Sequence, residues 1–363
     1  MRIGVPKEIK KHEYRVGLTP SAVSKYVADG HELFVETNAG VGTGFTDYDY
    51  VQAGATICNV KDTFDNAEMI IKVKEPQSSE LDKLRKDHTL FTYLHLAADK
   101  NLTQELMSIG LTSIAYETIQ LPNRSHPCLT PMSEIAGRLS VQEGAKYLET
   151  PFGGAGILLG GIPGVKRGKV VILGGGVVGF NAAKIAQGIG AYTTILDISQ
   201  ERLSYIDDVF GSSVQTLFSN DANIQSEIVD ADVVIGSVYV HGASAPKLIR
   251  KSHLKSMKRG AVLVDVAIDQ GGCFETSKAT THDKPIYNVD EIVHYCVANM
   301  PGVVPQTSTV ALNNQTLRYG LEIASGVSPD KYNDALKLGV NTHDGKLTCE
   351  AVANTHNLPY SAL

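Results

Sequence analysis

Three polar residues in the N-terminal half of the sequence stand at or just beyond the ends of short apolar runs. Arg15 lies in the loop after the first run, Lys74 ends the segment MIIKVK, and His95 ends the segment LFTYLH. If these runs are strands of one parallel sheet, the three side chains lie at its carboxyl edge, where open α/β sheets bind ligands. The two cations could bind a carboxylate. The imidazole could exchange a proton near neutral pH. The set therefore predicts a site for a small acid that carries a carbonyl or an amine.

Each of these residues also has a less specific interpretation. An arginine in a loop, or a lysine before Glu-Pro, is usually a surface residue, and a lone histidine at a strand end is usually structural. Only the shared position of Arg15, Lys74 and His95 favours a binding site.

A glycine-rich segment in the middle of the sequence, GGGVVG at residues 174–179, follows the run VVIL and precedes the segment FNAAKIAQGIGA. This order of strand, tight turn and helix is the one that dinucleotide-binding folds require. Gly174 would form the turn, Gly176 would let a pyrophosphate approach the backbone, and Gly179 would let the helix pack against the strand. The phosphates would lie at the helix N-terminus, where unpaired N–H groups and the helix dipole favour an anion.

The next predicted strand ends at Asp197, about 20 residues beyond the glycines, where an acid binds the adenosine ribose in such folds. A solvated acid at a strand end is the alternative. A carboxylate there would repel a 2′-phosphate, and the next basic residue, Arg202, stands several positions later. The sequence therefore favours NAD over NADP.

The elements that must position these residues follow an α/β pattern, in which short apolar runs alternate with amphipathic stretches. Helices are predicted from Pro20, behind the cap Thr19, to Gly30, at 102–109 and 133–147, and again from about Thr307 onward. Strands are predicted at residues 2–5, 31–36, 69–73, 90–94, 113–116, 169–173, 193–196, 233–235 and 261–266.

Composition sets the class of protein. The 363 residues carry a formal net charge of −6, 43% are hydrophobic, and 34 are glycine. This length predicts about two domains, and the apolar fraction is too high for a disordered chain. The mild acidity argues against a nucleic-acid-binding protein. No apolar run is long enough to span a membrane, and the charged N-terminal segment does not read as a signal peptide.

The five cysteines contain no CxxC pair, and the histidines show no metal-ligand spacing. Neither a disulfide framework nor a metal site is therefore expected. Reduced thiols favour a soluble cytoplasmic protein.

At this point the residues carry a resemblance to a known family. The chain resembles NAD-dependent L-alanine dehydrogenases, a family related to the N-terminal part of transhydrogenase, along nearly its whole length. Only the tail after about Asp330 lacks a distinctive string. The strings that carry the resemblance are GVPKEIKKHEYRVGLTP from Gly4, KVKEP from Lys72, FTYLHLAADK from Phe91, AYETIQLP from Ala115, PMSEIAGRLS from Pro131, VDVAIDQGGC from Val264 and HYCVANMPGVVPQTST from His294.

The resemblance implies roles for individual residues. Arg15 and Lys74 would bind the carboxylate of L-alanine or pyruvate, and His95 would be a catalytic acid/base. Asp269 would handle the attacking water and the leaving ammonia. The other residues implied around the substrate are Tyr93, Met132, Gln270 and Asn299. The residues implied to contact NAD are Ser133, Gly174, Gly176, Val177, Val178, Gly179, Asp197, Arg202, Ser219, Val238, Tyr239, Ile268, Asp269, Val297 and Asn299.

The resemblance also implies an architecture. Two Rossmann-like α/β domains are expected, with an NAD domain at 128–305 inserted into a discontinuous substrate domain at 1–127 and 306–363. Members of the family are typically homohexamers. The implied activity is reversible oxidative deamination of L-alanine to pyruvate and ammonium.

The sequence leaves three alternatives to this activity. The first is a transhydrogenase-like oxidoreductase, against which the presence of both Lys74 and His95 weighs. The second is a saccharopine-type dehydrogenase, against which the strings IDQGG and ANMPG weigh. The third is a catalytically silent NAD-binding regulatory module, which would not need Arg15, Lys74, His95 and Asp269 together.

Overall fold

The computed structural model describes residues 1–238 and 245–363. Its strands are β1 (Arg2–Val5), β2 (Glu32–Glu36), β3 (Thr56–Cys58), β4 (Met69–Ile71), β5 (Thr89–Thr92), β6 (Thr112–Ala115), β7 (Lys169–Leu173), β8 (Tyr192–Asp197), β9 (Gln215–Phe218), β10 (Val233–Gly236), β11 (Val262–Asp265), β12 (Ile286–Val289), β13 (Ile292–Tyr295), β14 (Val340–His343) and β15 (Lys346–Leu347).

The α-helices come between the strands. They are α1 (Pro20–Ala28), α2 (Asp47–Gln52), α3 (Val60–Asp65), α4 (Ser78–Leu81), α5 (Lys100–Ile109), α6 (Thr130–Tyr147), α7 (Val177–Gly188), α8 (Gln200–Phe210), α9 (Asp221–Ile228), α10 (Pro305–Ala324), α11 (Asp334–Lys337) and α12 (Glu350–His356). None of the described helices is long and apolar enough to cross a membrane.

The chain divides into two compact units. The first comprises Met1–Met132 and Gly302–Leu363, and the second comprises Ser133–Pro301. The middle of the sequence is thus inserted between the two parts of the first unit. Each unit has one sheet dominated by parallel strands, so the predicted α/β class with two Rossmann-like folds is confirmed.

The sheet of the first unit has the strand order β15-β14-β6-β5-β4-β1-β2-β3 in the described residues. Strands β1 to β6 pair in parallel. Their apolar side chains are mostly buried, as expected for strands covered on both faces. Because β1, β4, β5 and β6 are parallel neighbours, the loops that follow them leave from the same edge of the sheet.

The first helix begins where the sequence predicts. The side chain of Thr19 accepts a hydrogen bond from Ala22 N, and Pro20 occupies the first helical position, where its missing N–H costs nothing. Gly30 follows the helix in the left-handed conformation, with φ +86°. Helix α1 therefore has a start and a stop that follow directly from its residues.

The C-terminal part of the sequence corrects one prediction. Helix α10 is present, but the chain is not helical to its end, because β14 and β15 add two antiparallel strands beside β6. The strand β14 has the sequence VNTH, and Thr342 in it bonds Ser113 of β6 through their buried hydroxyls at 2.7 Å. This strand is fixed by tertiary pairing of polar groups, which an apolar pattern does not reveal.

The sheet of the second unit has the order β12-β13-β11-β10-β7-β8-β9 among the described residues. Only β12 runs antiparallel, to β13. The core of the second unit includes four fully buried residues from the central strands, Val171, Leu173, Val234 and Leu263. The carboxyl ends of β7 and β8 lead into the glycine-rich segment and to Asp197, and the carboxyl end of β11 leads to Asp269.

Candidate active site

Arg15 is a buried cation held by a nearby acid. Its Nε donates to Glu13 Oε1 at 2.7 Å and its Nη2 donates to Glu13 Oε2 at 2.6 Å. Burial acts against the charge on both groups, but their mutual hydrogen bonds outweigh it: the pKa of Glu13 lies below its usual value and the pKa of Arg15 above. Nη1 of Arg15 donates to Met132 Sδ at 3.0 Å, so the structure brings this predicted pocket residue to Arg15.

Lys74 is a second cation beside Arg15. Burial and the repulsion from Arg15 lower the pKa of Lys74 from its usual value, although the nearby Glu13 acts in the opposite direction. No hydrogen bond or ion pair of its ammonium is found within the described parts of the chain. Arg15 and Lys74 are thus two adjacent, largely buried cations, which makes this place suitable for an anion.

Glu8, in the loop after β1, fixes the backbone that leads to Lys74. Its Oε1 accepts from Val73 N at 2.6 Å and from Lys74 N at 3.2 Å. The ammonium of Lys72, which is fully buried, donates to Glu8 Oε2 at 3.3 Å and to Glu80 Oε1 at 2.6 Å. Buried charges that are paired in this way cost much less than isolated ones. The network therefore holds the segment after β4 in place.

His95 follows β5 with an unusual backbone. Its φ is +52°, in the left-handed region that non-glycine residues rarely adopt. Its N–H donates to Glu117 Oε1 at 2.6 Å, and Leu94 N donates to the same oxygen at 3.1 Å. The imidazole is half exposed, and its Nδ1 lies 3.4 Å from Glu75 Oε2.

Glu75 supplies a negative charge next to this imidazole. Burial opposes its ionisation, but its interactions with His95 and Lys10 prevail and hold the pKa of Glu75 well below its usual value. An ionised carboxylate facing Nδ1 favours the neutral tautomer that carries its proton on Nδ1. In that tautomer Nε2 carries the lone pair of the ring.

Tyr93 forms a wall of the same region. It is buried, its ring centroid lies 5.9 Å from that of His95, and it packs edge-on against Tyr116. Its hydroxyl donates to the carbonyl of Cys128 at 2.6 Å. Burial raises the pKa of Tyr93 well above its usual value, although Arg15 acts against this. Tyr93 therefore remains a neutral, immobilised ring near the two cations.

The glycine-rich segment has the geometry of a phosphate-binding turn. Gly174 has φ +102°, and a Cβ on Gly179 would lie 1.8 Å from the carbonyl oxygen of Gly174, so no other residue fits there. A Cβ on Gly176 would meet nothing within 4 Å, so the space beside it is open. Gly176 also precedes α7 without a capping side chain, which leaves the N–H groups of the first turn, including those of Val177 and Val178, for a ligand. The arrangement fits a dinucleotide pyrophosphate.

Asp197 lies next to this turn at the end of β8. Its Oδ2 accepts from Gly175 N at 2.6 Å and its Oδ1 accepts from Ser199 N at 2.8 Å. The carbonyl of Asp197 also accepts from Ser219 N at 2.9 Å. The structure thus places Asp197 and Ser219, two predicted cofactor contacts, beside the glycine-rich segment.

Arg202 and Val238 also border this segment. The Nε of Arg202 donates to the carbonyl of Gly175, and its guanidinium stacks on Phe180 and Tyr205 at 5.0 Å and 4.8 Å from their ring centroids. Val238 packs against Gly174, where a Cβ would lie 3.1 Å from its methyl group. Tyr239, which the sequence also assigns to the cofactor, lies outside the described residues.

Asp269 lies in a short 3-10 helix, Ile268–Gln270, just after β11. Ile268 is buried, whereas Asp269 is exposed. Asp265 shapes the loop, because its carboxylate accepts from Ala267 N at 3.1 Å and from Cys273 N at 2.8 Å.

Three further predicted site residues of the second unit are Asn299, Val297 and Ser133. Asn299 has φ +61°, a second left-handed residue among the predicted site residues, and its carbonyl contacts His282 Nε2 at 3.3 Å. Val297 is buried just after β13, and Ser133 is half-buried in α6. No group of three or more His, Cys, Asp or Glu side chains among the described residues is arranged to hold a metal ion.

Four acids of the site were not predicted from the sequence. Glu8, Glu13, Glu75 and Glu117 each hold a predicted site residue through its backbone or its side chain. Glu8, Glu13 and Glu75 stand one to seven residues from a predicted cation, in PKEIKKHEYR and KVKEP. Acids so close to candidate binding cations were the available signal.

The two parts of the chain match two family models. Residues 4–136 match the model described as alanine dehydrogenase/PNT, N-terminal domain, and residues 140–350 match the corresponding C-terminal domain. The chain belongs to the alanine dehydrogenase/PNT family. Its two units, with their parallel-dominated sheets, are those of an alanine dehydrogenase/PNT protein.

Relatives within the alanine dehydrogenase/PNT family are similar over their full length. The alanine dehydrogenase of Methanococcus maripaludis is 54% identical, over 99% of this chain and 98% of that protein. That of Staphylococcus epidermidis is 52% identical, over 100% of this chain and 99% of that protein. A solved L-alanine dehydrogenase structure is 55% identical with a TM-score of 0.96, over 98% of this chain and 99% of that one.

A more distant structure shares the fold. A transhydrogenase from Sinorhizobium meliloti superimposes with a TM-score of 0.86 at 22% identity, over 97% of this chain and 100% of that one. At that identity the likeness concerns the fold alone.

Proposed function

We propose that the protein catalyses the reversible oxidative deamination of L-alanine with NAD as the hydride acceptor. The reaction converts L-alanine, NAD⁺ and water into pyruvate, ammonium, NADH and a proton. Membership of the alanine dehydrogenase/PNT family supports this proposal, as does the full-length similarity to alanine dehydrogenases. The observation that carries it is the pair of neighbouring cations, the buried Arg15 and the half-buried Lys74, with His95 just after the neighbouring strand β5.

Arg15 and Lys74 would bind the substrate carboxylate. Glu13 already fixes the plane of the Arg15 guanidinium, so little side-chain freedom is lost when an anion binds. Lys74 would contribute a point charge, and the carboxylate would in turn favour its protonated form. Tyr93 and Met132, which pack beside these cations, would limit the room for the substrate side chain. The two cations act by fixing the position of Cα rather than by taking part in proton transfer.

His95 would exchange protons with the reacting amine and carbonyl oxygen. The amine of L-alanine must lose a proton before Cα gives up its hydride, and Nε2 of His95 would accept that proton. Loss of the hydride with its electron pair leaves a cationic imine. Water then adds to the imine carbon and loses a proton, which gives a carbinolamine. The nitrogen of the carbinolamine takes up a proton and its hydroxyl loses one, so that the C–N bond breaks, the C=O bond of pyruvate forms and ammonia leaves.

Asp269 would assist the two steps that involve water and ammonia. An exposed carboxylate can take the proton from the attacking water and stabilise the positive charge of the imine. Gln270 and Asn299 are similar to residues around the substrate in the family and would contact it.

NAD supplies the acceptor for the hydride when it is bound. The N–H groups at the start of α7 and the turn at Gly174 and Gly176 would hold its pyrophosphate, and Asp197 would accept hydrogen bonds from the adenosine ribose. The other residues proposed to contact the cofactor are Ser133, Val177, Val178, Gly179, Arg202, Ser219, Val238, Tyr239, Ile268, Asp269, Val297 and Asn299.

A cytoplasmic homohexamer is the proposed state of the enzyme. The five cysteines are unpaired, as in a reducing compartment. The hexamer rests on the family resemblance, and analytical ultracentrifugation of the purified protein tests it. A monomer or dimer at micromolar concentration would contradict it.

The activity itself is tested by measuring NADH formation by the purified protein with L-alanine, L-serine and glycine, each with NAD or NADP. The proposal predicts turnover that is highest with L-alanine and NAD. Absence of alanine-dependent turnover would overturn it, and higher turnover with another amino acid would correct the substrate.

A further inference from the structure

The backbone of His95 stands in a conformation that its own residue type disfavours. A φ of +52° places Cβ close to neighbouring backbone atoms, and such residues persist only where surrounding groups hold them. Strained residues of this kind often occur at functional positions. The question is which group holds His95.

Glu117 is the group that bonds this turn from the adjacent strand. It follows β6, which pairs in parallel with β5 through Thr92 and Ala115, so the two strand ends lie side by side. Its Oε1 accepts from His95 N at 2.6 Å and from Leu94 N at 3.1 Å. Leu94 N also lies 3.3 Å from Oε2, so the carboxylate of Glu117 receives both N–H groups that this turn directs toward β6.

The other side of the turn is held independently. The carbonyl of Leu96 accepts from Thr103 Oγ1 at 3.2 Å in α5, and His356 Nε2 in α12 lies 2.7 Å from the same oxygen. These contacts fix the chain after His95. Within the described residues, the N–H groups of Leu94 and His95 are held by Glu117 alone.

We propose that Glu117 is a positioning residue that acts through His95, an inference that rests on the proposed function. By holding the left-handed turn, Glu117 places the imidazole with Nδ1 3.4 Å from Glu75 and so defines where Nε2 lies. Glu117 itself touches no reacting atom in this account. What it contributes is a hydrogen-bond acceptor, and its negative charge is not required.

Two substitutions at this position separate the acceptor from the charge. Glu117→Gln keeps an amide oxygen that can accept both N–H groups, so we expect kcat within about threefold of the parent. Glu117→Ala removes the acceptor, and we expect kcat to fall on the order of 10²-fold, as misplacement of a catalytic group by about 1 Å does. The affinity for NADH stays unchanged in both, because no cofactor-binding residue is altered.

A matched control removes a similar carboxylate-to-backbone hydrogen bond at the opposite edge of the same sheet, where the strands begin. Glu68 Oε2 accepts from Arg2 N at 2.8 Å at the start of β1, and Glu68→Ala leaves kcat unchanged. A Glu117→Gln variant as impaired as Glu117→Ala would contradict the proposal, because charge rather than the acceptor would then matter.

The decisive measurement combines Glu117→Ala with His95→Ala. If Glu117 acts only through His95, its removal causes no further loss of kcat in the His95→Ala background. A loss as large as in the parent background would show a role unrelated to His95 and would overturn the inference. Residual turnover is followed by NADH fluorescence.

Hydrogen exchange of the backbone amides tests whether Glu117 holds the turn at His95, and it does not depend on catalytic activity. In Glu117→Ala the amides of Leu94 and His95 exchange faster, whereas in Glu117→Gln they remain protected. Unchanged protection in Glu117→Ala would overturn the inference. A parent enzyme that does not oxidise L-alanine would overturn the proposed function instead, and the exchange result would still report on the turn.

Discussion

Glu13 and Arg15 form a bidentate ion pair in the loop after β1, with Oε1–Nε and Oε2–Nη2 separations of 2.7 Å and 2.6 Å. Their side chains are 0% and 1% exposed. A guanidinium held in this way keeps a fixed orientation without a ligand. The pair explains how a buried arginine can be ready for a carboxylate while a second cation, Lys74, lies beside it.

Glu13→Gln tests this relationship through stability and binding together. Removing the charge of Glu13 takes away the carboxylate that forms a bidentate pair with a buried guanidinium, so we expect the free energy of unfolding to fall by about 3 kcal/mol. The Kd for pyruvate in the presence of NADH changes as well, because Arg15 loses its fixed orientation. Denaturant unfolding and fluorescence titration measure the two effects.

The exposed pair Lys25–Asp29 on α1 provides the control, with its atoms 2.8 Å apart. Lys25→Ala lowers the free energy of unfolding by less than about 1 kcal/mol, because water screens the pair. Similar losses in the two variants would show that the burial of Glu13 and Arg15 has no energetic importance.

Acid should destabilise the protein through Glu13 and Glu75. The pKa of each lies below 4.5. Burial raises the pKa of both carboxyl groups, but the interactions with their cationic neighbours lower it by more. A carboxyl group with a lower pKa in the folded state stabilises the fold above its unfolded pKa, and this stabilisation is lost as the pH falls. The free energy of unfolding of the parent should therefore decrease from about pH 5 downward. Glu75→Gln should show a smaller decrease, and an unchanged slope would contradict the assignment.

The lowered pKa of Lys74 predicts a pH dependence of pyruvate binding. Burial and Arg15 both favour the neutral amine, so Lys74 loses its charge at a lower pH than an ordinary lysine, below 10.5. Pyruvate has no group that titrates in this range, so its Kd in the presence of NADH should rise as the pH approaches the pKa of Lys74. Lys74→Arg stays charged, and its Kd should remain constant with pH. The same rise in both proteins would exclude Lys74 as its source.

Asp197 should determine the preference between NAD and NADP. In Asp197→Ala, NAD binds more weakly because the ribose hydroxyls lose an acceptor. NADP binds more tightly because its 2′-phosphate is no longer repelled by a carboxylate. We expect kcat/KM for NADP relative to NAD to rise by about tenfold or more, equivalent to roughly 1.4 kcal/mol. Arg202, next to Gly175, would bind the phosphate, so adding Arg202→Ala should remove the gain. An unchanged cofactor ratio in Asp197→Ala would count against its ribose role.

Much of the fold could be predicted because its central strands are apolar runs. Strands such as β7 and helices such as α1 are defined by local residues: a buried VVIL segment, a Thr cap and a proline at the first helical position. Strand β14 could not be predicted in this way. Its VNTH sequence has no apolar alternation, and its position depends on pairing with β6, more than 200 residues away in sequence.

The candidate site divides along similar lines. The cations and the glycine-rich segment were visible because their residue types and their places after apolar runs are informative by themselves. The acids that hold them were not, because an acid such as Glu117 looks the same whether it is solvated or bonds the backbone of His95. The left-handed backbone of His95 also has no local signal, since histidine does not favour it.

The most direct test of the account follows the hydrogen of the substrate. L-alanine carrying deuterium at Cα is incubated with the purified protein and NAD, and the products are examined by mass spectrometry. Hydride transfer from Cα to NAD predicts pyruvate and NADH in equal amounts, with the deuterium in the NADH. Formation of pyruvate without labelled NADH, or no reaction of L-alanine at all, would contradict it.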